Sequence, residues 1–171
     1  ESGLSSRGPA PPDGQNVPAP GPDFLIFPPV ERHLEIPGVQ NYARVALLSA
    51  TPSEVIAARY TRQGLMVIDR SAFQVVAAAA FRQDYASISF GQLMNDLARS
   101  RDGLLVRGSF LQDNGLSIGD PLSLAVRSGQ TPEIPITYTI RGVFDTFPIV
   151  GIEAIDQPFI GHMEYTFERL G

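Results

Sequence analysis

The chain contains no cysteine and no tryptophan, and it has no lysine either: all 13 of its basic residues are arginine. Each absence removes chemistry. Without cysteine there is no disulfide, no thiol nucleophile, no thiolate zinc site and no iron–sulfur cluster. Without lysine there is no Schiff base and no P-loop lysine to cradle a phosphate. With only two histidines, a three-histidine metal site would need a second subunit. Long apolar runs are also missing. The longest nearly apolar stretch, Ala72 to Phe81, spans ten residues and is interrupted by Gln74, far short of the ~20 that cross a bilayer.

What is present describes an ordinary globular chain. The 171 residues are 43% apolar and 18% charged, and 18 acids against 13 arginines give a net charge of −5. That balance argues against nucleic acid as a partner, because phosphate-backbone binding needs a basic face and the arginines form no run. An arginine-only basic set also follows from GC-rich codon usage. The length predicts one domain, with at most a small second lobe around residues 50–102. Beginning at Glu1 rather than methionine, the chain is expected to be a processed or excised piece.

Eight of the fifteen prolines fall in residues 1–29. With almost nothing to bury, residues 1–23 read as a proline-rich extended arm, and order is expected from Phe24 onward. Val30–Glu35 is predicted as a short helix that Ile36-Pro37-Gly38 ends. Tyr42–Leu48 reads as a strand, with a turn or short helix opening at Thr51-Pro52. Leu65–Ile68 reads as a compact buried strand. Phe73, Val76, Ala77, Ala80 and Phe81 share one helical face. Ser89 and Gln92 form a capping box ahead of Phe90, Leu93, Met94 and Leu97, a second helix that Asp102-Gly103 stops.

The C-terminal half is predicted to be mainly β. Leu104–Val106 is a buried strand, and Phe110–Asp113 makes one helical turn closed by Asn114-Gly115. Leu122–Val126 and Ile134–Ile140 alternate apolar and polar residues, giving two half-buried strands joined around Ser128-Gly129. Pro135 cannot donate to a ladder and is placed at an edge or a bulge. The tail from Phe159 to Leu170 is amphipathic and is expected to return to the body of the domain. The fold class is therefore α+β, a mixed sheet with a few packed helices.

The search for a catalytic constellation finds none. His33 stands beside Glu31 and Glu35, so a metal or acid–base role is conceivable, but a solvated or capping histidine on a polar face is the preferred reading. His162 lies between Gly161 and Met163 with no serine-base pattern nearby. No G-x-S-x-G elbow exists. Carboxylate pairs could be drawn from Asp113, Asp120, Asp145, Glu153 and Asp156, yet spacing cannot decide pairing. The Gly115–Asp120 stretch lacks the order of a dinucleotide-binding loop, and no calcium-loop pattern is present. Gly38, Gly119 and Gly142 are expected to permit backbone turns, and Asp120 and Asp145 to tie loops. Phe144, Phe147 and Phe159 crowd the last third and are the candidates for partner contact, with core placement as the alternative.

One stretch goes beyond generic pattern. Gly103-Leu-Leu-Val-Arg-Gly-Ser-Phe-Leu-Gln-Asp-Asn-Gly-Leu-Ser-Ile-Gly-Asp-Pro-Leu-Ser-Leu, followed by Ile136-Thr-Tyr-Thr-Ile-Arg-Gly-Val-Phe-Asp-Thr-Phe-Pro148, resembles the extracytoplasmic domain of FtsX-like (MacB-type) ABC transporter permeases. Ile36-Pro37-Gly38-Val39 running to Ala43-Arg44-Val45 is similar to the element that follows the first transmembrane helix in that family. Pro158-Phe159-Ile160 to Leu170 is similar to the segment that re-enters the second. The resemblance covers residues 30–171 in order, with 50–100 divergent.

The resemblance implies a MacB-periplasmic-domain-like fold over 24–171 and a non-catalytic role. The domain would lie on the extracytoplasmic face of the cell membrane, tethered by transmembrane helices and driven by a cognate cytoplasmic ATPase. It would bind a partner protein or a hydrophobic substrate, with no cofactor and no metal. Two other expectations remain: a secreted hydrolase using a carboxylate pair, and an extracellular scaffold or adhesion module.

Overall fold

The computed structural model describes residues 30–53, 63–147 and 159–171. Six strands close into a barrel. They are β1 (Val45–Pro52), β2 (Gln63–Ile68), β3 (Gly103–Arg107), β4 (Pro121–Arg127), β5 (Ile134–Phe144) and β6 (Phe159–His162), and the order around the barrel is β1-β2-β6-β3-β5-β4. β2 runs parallel to β6 and β3 parallel to β5, while the other four seams are antiparallel. The architecture is thus mixed α and β, with the sheet closed on itself. Closure removes the free edges that an open sheet of this size would have to protect.

Two apolar cores lie on either side of one wall of the barrel. Inside, Leu48, Leu65, Val67, Leu104, Val106, Leu124, Ile136, Tyr138 and Phe159 meet. Outside, Met66 and Ile68 of β2, Leu105 of β3 and Ile160 of β6 pack under two helices, α1 (Arg70–Ala77) and α2 (Phe90–Leu97). Strands buried on both faces read as unbroken apolar runs, which is why Leu65-Met66-Val67-Ile68 and Leu104-Leu105-Val106 carry no alternation. β4 and the first part of β5, residues 134–140, have one face in the barrel and the other uncovered, and their burial alternates residue by residue. Beyond the bulge, Gly142 and Phe144 of β5 lie under the helices.

The helices begin where their sequence signals say. Asp69 caps α1, its carboxylate accepting the Ala72 N–H at 3.4 Å. The box at α2 is complete: Ser89 Oγ accepts from the Gln92 N–H at 3.3 Å, and Gln92 Oε1 accepts from the Ser89 N–H at 3.2 Å. Phe73, Phe90 and Phe147 form the centre of the outer core, the Phe73 and Phe147 rings stacking at 5.8 Å. The segment from 63 to 102 thus supplies a barrel strand and the helices that share an apolar core with it.

Two further helices close the barrel ends. α3 (Gly108–Asn114) follows β3 and puts Phe110 and Leu111 into the inner core, with Phe110 edge-on to Phe159 at 5.0 Å. α4 (Met163–Leu170) follows β6 without a break and adds Met163. Tyr138 O–H donates to Thr166 Oγ1 at 2.9 Å, and Thr166 donates in turn to the His162 carbonyl at 2.8 Å. Burial raises the Tyr138 phenol well above its ordinary value, outweighing the hydrogen bond with Thr166, so the hydroxyl stays protonated and donates.

Several expectations shift. Val30–Glu35 is the short helix expected, of the 3₁₀ kind. β1 starts at Val45 rather than Tyr42 and runs through Thr51-Pro52, where a turn was expected. Pairing with β4, Thr51 opposite Ala125 and Pro52 opposite Leu124, holds those residues extended. The tail contains a barrel strand, β6, that its amphipathic pattern conceals: four residues flanked by β2 and β3 need no alternation. Pro135 pairs with Ala125 on one side, in the half of β5 that lies beyond its pairing with β3. That is a local edge, as a proline requires.

Candidate functional site

A pocket of about 260 Å³ opens at one rim of the barrel, where β2 and β6 end and α1 and α4 begin. Its position follows from the register. β1 starts at Val45 opposite Ile68, and β6 ends at His162 opposite the same residue. Asp69, Arg70 and Ser71 reach the pocket from the first turn of α1. His162, Met163, Glu164 and Tyr165 reach it from the start of α4. Arg44 comes from the approach to β1, and Ser100 and Arg101 from the turn between α2 and β3.

The lining is mainly polar. Arg44 pairs with Asp69 at 3.4 Å, and the backbone supports that pair, since the Asp69 N–H donates to the Arg44 carbonyl at 3.1 Å. Arg101 reaches Glu168 at 2.8 Å across the surface. Among the described residues, Arg70 has only the Gln74 amide oxygen, at 3.5 Å. The His162 Nε2 lies 2.8 Å from the Leu97 carbonyl. A carbonyl can only accept, so the proton is on Nε2 and the ring ties β6 to the end of α2. His162 therefore works as a structural link in this arrangement, with no serine-base pairing. His33 lies on the exposed 3₁₀ helix, far along the chain from these elements.

Asp102 stands beside this rim, at the turn into β3. Its carboxylate accepts from Thr139 Oγ1, and its carbonyl accepts the Thr139 N–H at 2.9 Å. Partial burial works against its ionised form. The hydrogen bonds from Thr139, Ser100 and its own backbone, together with the charge of Arg141, outweigh that and hold the carboxyl below the ordinary carboxylate value. Arg141 is brought there by a β-bulge: Leu104 pairs with Ile140 but Leu105 with Gly142, so Arg141 is the extra residue. Its Nε donates to Ser100 Oγ at 3.0 Å.

The residues proposed for partner contact are buried. Phe144 is 2% exposed, Phe147 6% and Phe159 2%. They are not one patch either, because Phe144 and Phe147 belong to the outer core under the helices while Phe159 fills the barrel. Their crowding in sequence reflects two cores that the last third of the chain supplies at once. A partner could reach them only by unpacking those cores.

The turn residues divide. Gly38 and Gly119 have φ of +92° and +102°, the region that glycine alone adopts cheaply. Asp120 ties its loop as expected, its carboxylate accepting the Ser117 N–H at 2.8 Å. Asp145 ties its loop through the backbone: its N–H donates to the Tyr85 carbonyl and its carbonyl accepts from Arg107 Nε at 2.7 Å. Gly142 makes no turn. It lies within β5, and a Cβ there would come within 2.8 Å of Leu105 Cδ2 and 3.2 Å of Leu93 Cδ1, so its role is to let α2 approach the sheet.

Of the carboxylates considered as a catalytic pair, Glu153 and Asp156 lie outside the described residues. Asp113, Asp120 and Asp145 occupy α3 and two separate loops, and none lines the rim pocket. Among the described residues, no group of three or more histidines and acids could hold a metal ion, and no helix is long and apolar enough to cross a membrane. The rim pocket itself went unread in the sequence. Asp69 carried a usable signal, a capping residue directly ahead of the Phe73 helical face. Nothing in the spacing of Arg44, Arg70 and Arg101 announces that they meet. Compared with models of known protein families and with curated proteins, the chain gives no match.

Proposed function

We propose that this chain is a non-catalytic extracytoplasmic domain of an FtsX-like, MacB-type ABC transporter permease, which binds a partner or substrate outside the membrane and passes its motion to the transmembrane helices. The cognate cytoplasmic ATPase would act through those helices. The motifs running in order over residues 30–171 suggest the family. The observation that carries the reading is the geometry of the barrel's two ends in sequence. Val45, where the chain enters, and His162, where it leaves the last strand, both lie against Ile68. A domain inserted between two membrane spans needs its incoming and outgoing segments on one side, and this barrel has them two strands apart.

The mainly polar rim pocket does not favour a hydrophobic substrate, so a partner protein or a polar ligand fits better. The hydrolase reading gains nothing from the described residues, since Asp113, Asp120 and Asp145 do not line the pocket. The test is to express the full-length gene product in its native host and add protease to spheroplasts. The reading expects a membrane-bound protein from which protease removes this domain while a cytoplasmic ATPase co-purifies with the remainder. Recovery of the intact protein in the soluble cytoplasmic fraction would overturn it.

A further inference from the structure

The rim pocket gathers three guanidinium groups, Arg44, Arg70 and Arg101, against two carboxylates, Asp69 and Glu164, in a chain whose net charge is −5. Arginine concentrated in a concavity against the overall charge is unusual, because nothing about solubility or packing asks for it. The charges are also weakly committed. Asp69 is already engaged by the Arg44 side chain and by the α1 backbone, at 3.4 Å each. The Arg101–Glu168 pair is solvent-exposed, with side chains 73% and 59% accessible, and such pairs contribute about 0–1 kcal/mol. Arg70 has no acidic partner among the described residues, only the Gln74 amide.

Backbone donors add to the guanidinium groups. α4 opens at His162 without a side-chain cap, so among the described residues no capping side chain takes the N–H groups of its first turn, at the edge of the same cavity. We propose that this pocket binds a small molecule through a phosphate group. Donors approaching from four chain segments suit a tetrahedral oxyanion with several accepting oxygens better than a planar carboxylate, which one arginine fork satisfies. The pocket's volume of about 260 Å³ suits a compact ester or a headgroup rather than a nucleotide. The site stands on these residues alone, whether or not the domain belongs to a permease.

The test uses the full 171-residue chain at low ionic strength, with inorganic phosphate, glycerol 3-phosphate and phosphatidylglycerol vesicles as probes, read by calorimetry and by co-sedimentation for the vesicles. Arg70→Gln is expected to weaken binding about tenfold, the loss of one charge-assisted hydrogen-bonding group. Arg101→Gln is expected to do the same. Arg82→Gln, whose residue pairs with Asp84 at 3.0 Å and does not line the pocket, is expected to leave binding unchanged. Binding of the soluble probes identifies a free phosphate or phosphate ester; binding of vesicles alone, lost in Arg70→Gln, identifies a lipid headgroup. Absence of binding to all three probes at millimolar concentration overturns the site. So does an Arg82→Gln effect as large as that of Arg70→Gln, which would reduce the attraction to diffuse charge.

Discussion

One half of the barrel wall, β2, β6, β3 and the end of β5 at residues 142–144, is covered by helices, and the other half, β1, β4 and the first part of β5, is not. The two halves solve the same problem differently. In the covered half Met66, Leu105 and Ile160 point outward and are as buried as the residues facing in, at 2%, 0% and 0% exposure. In the open half the outward positions carry Ser49, Ser123, Thr137 and Thr139, and the Ser123 and Thr137 hydroxyls bond each other across the seam at 2.8 Å. The difference teaches that strand composition here reports what lies over the sheet, not the barrel itself. It also locates the rim pocket, which forms at the margin of the covered half, where the first turn of α1 meets the end of β6.

The largest expected effect separates the two halves by truncation. Phe144 closes β5 beneath the helices, so Phe144→Ala should cost about 3–5 kcal/mol from the lost burial and the cavity left behind. Leu47, outward on β1 and 39% exposed, should cost within about 0.5 kcal/mol when changed to Ala. Urea unfolding of both variants measures this. Equal losses would erase the distinction between covered and open wall, and a Phe144 variant of normal stability but impaired partner binding would restore that ring as a contact residue.

A smaller effect is expected at the entrance to the covered half. A Cβ on Gly103 would stand 2.3 Å from the Leu97 carbonyl oxygen and 3.0 Å from that of Ser100, both backbone atoms that cannot swing aside. Gly103→Ala should therefore destabilise by about 1–3 kcal/mol. The same change at Gly142, whose near neighbours are side-chain methyls, should cost less. A reversed order in thermal unfolding would mean that α2 and β3 are less tightly joined than the close approach implies.

The smallest effect concerns the seam between the halves. Asp102 lies in the turn into β3 and holds Thr139 of β5. Its folded-state carboxyl titrates below the ordinary value of 3.8, so the ionised form is favoured by folding. That contribution is complete above the ordinary value and is lost as pH falls through the lowered one. Asp102→Asn should lower stability at neutral pH, where the ionised carboxylate contributes in full, and flatten the acid limb of the stability–pH curve below about pH 5. An unchanged acid limb would show that the seam is held by the ladder alone.

Local pattern carried far in this chain. The Ser89–Gln92 box, the Gly115 helix end with φ of +64° and the β4–β5 alternation lie where short-range signals place them. Each depends on residues within one turn or one hairpin. Of the expected Phe73 face, by contrast, only Phe73 and Ala77 are buried on α1, Val76 being 43% exposed. β6 was hidden because a four-residue strand buried on both faces has no period to display. Phe144, Phe147 and Phe159 misled for a related reason: sequence proximity cannot say that a wall of backbone runs between two aromatic clusters.

By itself the sequence determined which chemistries are absent, where the caps and turns fall, and which strands have a wet face, since these follow from side-chain type and period. Only the tertiary structure decided that the sheet closes, that β6 lies between β2 and β3, and that Arg44, Arg70 and Arg101 share one cavity. Those facts are set by register between segments far apart in the chain, such as Leu65 and Phe159, and register depends on which apolar faces find each other. No local pattern encodes that choice.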